Sequence, residues 1–115
     1  MELTFNDFKT FEKQIILKKI GISCQKRIKN SRVLIIGMGG LGCPLLTYLA
    51  SAGVGNLGII DHDKVEISNL NRQTLFNLSD IGKFKVVQAK MKIDKIFRAI
   101  KVRKFTEKID RKSVV

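Results

Sequence analysis

Gly37-Met38-Gly39-Gly40-Leu41-Gly42 carries the spacing G-x-G-x-x-G. Residues without a Cβ let the backbone turn tightly and come close to phosphate oxygens. Asp61 follows 19 residues after Gly42, where nucleotide-binding βαβ units hold a ribose hydroxyl. Ser68-Asn69-Leu70-Asn71-Arg72-Gln73 then brings amide and guanidinium donors suited to phosphate oxygens. Lys85 stands in the first turn of a predicted helix, a place the helix dipole makes unfavourable for a cation. A charge facing a nucleotide phosphate would explain it, and a plain surface lysine fits the spacing equally well. Taken together, these residue types point to nucleotide phosphate chemistry. The competing reading is a βαβ unit whose glycines serve only close helix–strand packing, which leaves Asp61 a coincidence.

The flanking elements agree with the nucleotide reading. Val33–Ile36 is a β-branched, apolar run of the kind found in a strand buried on both faces of a parallel sheet. A helix is predicted from about Leu41 to Ala52, with Pro44 in its first turn and Gly53 just past its end. Leu57–Ile60 is the second strand, with Asp61 at its carboxyl end. Residues 62–85 form a long polar loop, and loops of that length are often functional. Phe84–Phe97 is the next helix, its stripe formed by Val86, Ala89, Ile93, Ile96, Phe97 and then Ile100; Lys90, Lys92 and Lys95 face outward. Lys101–Thr106 is a third strand, and residues 107–115 carry little signal. Ahead of this alternation, Phe5–Ile20 reads as one amphipathic helix capped by Asn6 or Asp7, and Ser23–Asn30 as a second with Ser23 as cap. Both are expected outside the sheet.

The fold class is therefore α/β, a Rossmann-like parallel sheet of about three strands preceded by two N-terminal helices. The expected domains are a helical segment over 1–30 and a nucleotide-binding unit over 31–115, which looks short for its own motif.

The chain of 115 residues carries a net charge of +12. Residues 83–115 hold 12 Lys and Arg against 3 Asp and Glu. A basic end can attract an acidic partner or nucleic acid, and a solvated lysine-rich face fits as well. No nucleic-acid motif and no apolar run of membrane length occur, and MELTFNDFKTFEK is not a signal peptide. Two cysteines, Cys24 and Cys43, outside any C-x-x-C, suit a reducing, cytoplasmic setting. Cys43 at a helix N-terminus could have a lowered thiol pKa or simply be packed. His62, between two acids, reads as solvated, and no metal ligands are assigned.

Lys13-Gln14-Ile15-Ile16-Leu17, then Ser31 through Gly42-Cys43-Pro44, Ala50-Ser51-Ala52-Gly53-Val54-Gly55, Asp61-His62-Asp63 and Ser68 through Gln73 resemble the MoeB/ThiF/HesA family, bacterial relatives of ubiquitin-activating enzymes. The likeness covers about residues 8–106. Gly39-Gly40-Leu41-Gly42-Cys43-Pro44 leans toward the molybdopterin-synthase adenylyltransferases and the thiamine-thiazole activators. The resemblance implies ATP rather than NAD, and adenylation of the C-terminal glycine of a small ubiquitin-like sulfur carrier with release of pyrophosphate. It implies that Gly37, Gly39, Gly40 and Gly42 form the nucleotide loop and that Asp61, with Asp63, holds the ribose. Ser68, Asn69, Arg72 and Gln73 would line the ATP site, with Asn69 and Arg72 nearest the phosphates and Lys85 contacting them. Homodimerisation is implied too, with Lys13, where the family has arginine, reaching the partner's ATP site. The family's Mg2+-associated aspartate and its paired C-x-x-C zinc motifs would fall beyond Val115. The chain is accordingly expected to resemble the first half of an adenylation domain and to bind nucleotide poorly alone. A non-catalytic remnant or assembly module, and an NAD-dependent oxidoreductase, are the alternatives.

Overall fold

The computed structural model describes residues 1–109. Its elements run α1 (Phe5–Thr10), α2 (Glu12–Ile15), α3 (Gly21–Lys29), β1 (Arg32–Ile36), α4 (Gly42–Ala52), β2 (Asn56–Ile60), α5 (Lys85–Ile96) and β3 (Lys101–Phe105), with short 3-10 turns at Ile67–Asn69 and Leu78–Asp80. The three strands form one parallel sheet in the order β1-β2-β3. Ile36 pairs with Ile60, and Ile60 with Phe105, so all three strands end together at one rim. The α/β, Rossmann-like reading holds.

Alternation along the strands aims Ile35, Leu57, Ile59 and Val102 at one face, where Leu46 and Ala50 of α4 and Val86, Ala89 and Ile93 of α5 close the core. Burial of these side chains, each worth roughly 1.5–3 kcal/mol for a large aliphatic, is what holds two helices on one side of the sheet. The other face is open: Leu34 is 54% and Ile36 66% exposed. That corrects the expectation that β1 is buried on both faces. Its β-branched run reflects a strand built for two covered faces, and among the described residues only one is covered.

The N-terminal reading also needs correction. The single helix expected over 5–20 is broken at Phe11, whose φ of −110° and ψ of 20° leave helical geometry, and residues 17–20 turn without regular helix. Phe11 is 8% exposed, and a Cβ at Gly53 would lie 3.1 Å from its ring. Packing of that ring against the end of α4 competes with helix continuity and wins. Thr4, not Asn6 or Asp7, caps α1, with Asp7 completing a capping box from the third helical position. Gly21 opens α3 with no side-chain cap, so Ser23 is not its cap. As expected, all three helices lie outside the sheet, against the C-terminal end of α4. There Gln14 Nε2 and Gln25 Nε2 both donate to Ala52 O, at 3.1 and 3.0 Å. Among the described residues no helix is long and apolar enough to cross a membrane.

Candidate nucleotide site

The site lies at the carboxyl rim of the sheet, where β1 runs into the glycine loop and β2 into Asp61. Gly37, at φ 94°, turns the chain out of β1, and its N–H donates to Ile60 O at 2.8 Å. A Cβ at Gly42 would stand 1.8 Å from Gly37 O, so that glycine is required for the loop to fold back on α4. Gly39 and Gly40 differ. Neither has a positive φ, and among the described residues a Cβ on them would meet nothing nearer than Gln73 Nε2 at 4.0 Å and Arg72 Cδ at 3.8 Å. The fold alone does not require glycine at these two positions, and the space they leave is flanked by the predicted phosphate-binding side chains.

Asp61 is fixed by the loop it serves. Its Oδ2 accepts from Met38 N–H at 2.7 Å and its Oδ1 from Asp63 N–H at 2.8 Å. Each carboxylate oxygen keeps lone pairs for a further donor such as a ribose hydroxyl. Asp63 O in turn accepts from Lys85 N–H at 3.1 Å, tying the first turn of α5 to the end of β2.

The segment expected to be irregular is ordered by these ties and by an anchor that spacing could not reveal. Asp80 is 2% exposed. Its Oδ1 accepts from Gln88 Nε2 at 2.8 Å and its Oδ2 from Lys92 Nζ at 2.5 Å, while Lys92 also donates to Leu75 O at 2.6 Å. Lys92 therefore points inward, contrary to the outward reading of that helix face. Burial pushes the Asp80 carboxyl upward, but the Lys92 ammonium, Asn77 N–H and Gln88 outweigh it and hold the group below its ordinary value. The one cue in the sequence is the i, i+4 pair Gln88 and Lys92 on one helix face, and Asp80 is one of three loop acids with Asp63 and Glu66.

Arg72 is exposed and stretches over Gly40, with Nη1 donating to Ser68 O at 3.1 Å. Gln73 is 2% exposed and its Oε1 has no partner among the described residues. Asn69 is buried, and its Oδ1 accepts from Glu66 N–H at 2.9 Å. Half of its side-chain amide is thus used to shape the 3-10 turn, a role sequence reading missed. Lys85 is 6% exposed, and no carboxylate lies within 4.0 Å of its ammonium among the described residues.

Cys43, in the first turn of α4, donates to Met38 O at 3.3 Å. Burial pushes its thiol up to about 11, with the Lys85 charge opposing and Asp61 adding to the rise. The packed reading of Cys43 holds, and the lowered thiol does not. Asp61, His62 and Asp63 bring potential ligand atoms within 4.8 Å of one another. His62 and Asp63 are exposed and pair with each other at 3.2 Å. Lys13 stands apart. It is exposed on α2, beside Gln14 at the far end of α4, a helix of 11 residues and so roughly 16 Å long. One chain does not bring Lys13 to its own glycine loop.

The sequence profile of the ThiF family matches residues 11–115. The chain belongs to the ThiF family. The adenylyltransferase and sulfurtransferase uba4 of Ogataea parapolymorpha is 45% identical over 96 residues, a stretch that takes in 84% of this chain and 25% of that protein. Among solved structures, that of PaaA matches with a TM-score of 0.86 at 36% identity, covering 94% of this chain and 36% of the other. E. coli MccB crystallised with ATP matches with a TM-score of 0.73 at 37% identity, covering 75% and 25%. This ThiF-family chain spans about a quarter of the length of the curated relatives it matches.

Proposed function

We propose that the chain binds ATP and carries the nucleotide-holding part of an adenylation site whose substrate is the C-terminal glycine of a small ubiquitin-like sulfur carrier. The observation that carries this reading is Lys85, a lysine only 6% exposed and without a carboxylate partner among the described residues, set beside a glycine loop with vacant Cβ positions. A cation on a largely buried side chain favours a nearby anion, and a nucleotide phosphate would supply it. Gly39 and Gly40 give the phosphates room, Asp61 and Asp63 meet the ribose end, and Ser68, Asn69, Arg72 and Gln73 donate along the phosphate path. In the reaction, a carboxylate oxygen bonds to the α-phosphorus while the bond to the β-phosphate breaks, and pyrophosphate leaves with the electron pair. Arg72 and Lys85 neutralise the charge that develops. Mg2+ would supply further neutralisation of the phosphates when bound. Lys13 acts, in this reading, in the ATP site of a second copy in a homodimer, with one charge rather than the bidentate fork of an arginine. Two free thiols suit a cytoplasmic setting. The relative named as an adenylyltransferase and sulfurtransferase supports the class, and the MccB structure with ATP supports the nucleotide.

The experiment is calorimetric titration of the full 115-residue chain with ATP and with NAD, followed by carrier-dependent ATP–pyrophosphate exchange. ATP binding that weakens at least tenfold in Lys85→Met and Arg72→Ala is expected. Binding of NAD with no effect of ATP would sink the reading and revive the oxidoreductase. The open sheet face with Leu34 and Ile36 exposed favours one second reading, an assembly module. ATP binding without exchange would support that module; exchange above background would defeat it.

A further inference from the structure

The amino end of the sheet holds a cavity of about 260 Å3 that the nucleotide site does not use. Its floor is apolar, built from Phe11, Phe97 and Ile100. Lys95 and Arg98 stand at its mouth, exposed, with no carboxylate within 4.0 Å of either among the described residues. Its lone acid among the described residues, Asp7, is already spent: its Oδ2 accepts from Lys29 Nζ at 2.7 Å and from Thr4 N–H at 2.8 Å. Burial raises the Asp7 carboxyl, but Lys29 and Thr4 outweigh it and keep the group ionised. The backbone N–H groups of Arg98 and Ala99 make no hydrogen bond among the described residues. Ile96, the last residue of α5, leaves the core stripe and is 66% exposed at the same rim.

The cavity thus offers unspent donors and positive charge around an apolar floor, with no unspent carboxylate among the described residues. Its volume suits one apolar side chain with flanking groups and lies just below the roughly 300–1,000 Å3 of a cofactor pocket. An apolar floor gives a nucleic-acid backbone or a free phosphate nothing to bury, whereas an acidic peptide with one apolar anchor fills both parts.

We propose that this cavity is a docking site for an acidic segment of a partner protein, anchored by one apolar side chain between Phe11 and Phe97 and held by Lys95 and Arg98. Charge complementarity argues for that occupant: the chain is +12 overall, and an acidic surface is steered to it at long range. The site is separated from the glycine loop by the length of the strands, roughly 17 Å for five residues, so a docked segment leaves the nucleotide end open. The proposal does not depend on the ATP reading.

The test is selection from a displayed library of random heptapeptides on the full 115-residue chain. Selected peptides are then titrated against the chain and against the double variant Lys95→Glu/Arg98→Glu. The expected result is enrichment of sequences with two or more acids around one apolar residue, whose affinity falls at least tenfold in the variant. Amide chemical shifts of Gly53, Gly55 and Ala99 should move on binding, with those of Gly39 and Gly40 unmoved. Because both substituted residues are exposed, an unchanged circular dichroism spectrum is expected. Should the variant unfold, Arg98→Ala alone must still weaken binding. Enrichment of basic or uncharged peptides, no enrichment at all, undiminished binding to the variant, or shifts confined to the glycine loop would overturn the proposal. So would tighter binding of inorganic phosphate or a single-stranded RNA oligonucleotide at the same amides.

Discussion

At the amino end of the sheet Gly55 is walled in, its missing Cβ only 2.0 Å from Lys29 O; at the carboxyl end Gly40 meets nothing closer than Arg72 Cδ at 3.8 Å. The charges divide the same way. Lys29 is consumed by Asp7 in a pair whose side chains are 13% and 7% exposed, while Lys85, just as buried, has no such partner among the described residues. The same two residue types are used up at Gly55 and Lys29 and left free at Gly40 and Lys85. Lys29 and Gly55 are committed to holding the fold, whereas Lys85 and Gly40 leave charge and space that the fold itself does not use.

The largest expected break in that contrast is Gly55→Ala. The new methyl would sit inside contact distance of backbone that cannot swing away, and overpacking of that kind costs about 3 kcal/mol or more. Gly40→Ala, by the same chemistry, should change the stability of the ligand-free chain by less than about 1 kcal/mol, while weakening ATP binding at least tenfold. Urea denaturation and calorimetry separate the two. Equal stability losses would mean that the open cradle is only an unremarkable turn.

Lys29→Met and Lys85→Met make the parallel comparison for charge. The first strands the Asp7 carboxylate in a buried place and should cost about 3 kcal/mol. The second removes a charge with no carboxylate partner among the described residues from a largely buried side chain, so folding stability should hold or rise while ATP affinity falls. A stability loss in Lys85→Met matching that in Lys29→Met would show Lys85 to be structural, and the nucleotide reading would lose its main support.

The carboxyl end was the more legible in the sequence because its signals are local. G-x-G-x-x-G, the acid at Asp61 and the donor run from Ser68 to Gln73 each lie within a few residues, and strand–turn–helix context decides them. What spacing could not deliver is long-range. The Asp80–Lys92 pair joins residues 12 apart, and the double acceptance at Ala52 O joins three separate segments. The long first helix failed for the same reason, since the amphipathic pattern over 5–20 is local while the break at Phe11 coincides with its long-range contact with Gly53. Asn69 could be placed at the site from the family resemblance, yet its turn-shaping bond to Glu66 N–H needed coordinates.

Asp80 tests whether the ligand end is as independent as the contrast implies. Asp80→Asn removes the charge that Lys92 and Gln88 hold, and a loss of about 1–3 kcal/mol is expected for a buried, charge-assisted network. Acid should act likewise. Asp7 and Asp80 are both held below their ordinary values, so the native state binds fewer protons than the unfolded chain. The stability they contribute is fully present above the unfolded carboxyl value near ~3.9 and is lost as pH falls through the lower folded values. Denaturation midpoints should therefore fall with acidification below about pH 4, and the fall should be shallower in Asp80→Asn. An unchanged slope would mean that Asp80 contributes nothing to the effect.

The smallest expected effect concerns the thiols. Cys24 is half-buried on α3 and Cys43 is buried in the first turn of α4, with its thiol pushed up to about 11. Thiolate is the reacting form, so iodoacetamide at pH 8 should modify Cys24 first and leave Cys43 until the structure opens. Mass spectrometry of the partly labelled chain reads the order directly. ATP should slow the labelling of Cys43 further, because its helix turn backs the loop that a nucleotide would clamp, and should leave the rate at Cys24 unchanged. Equal protection of both would mean that the nucleotide tightens the whole fold, and the two ends of the sheet would then be one cooperative body rather than a stable base carrying a separately adjustable site.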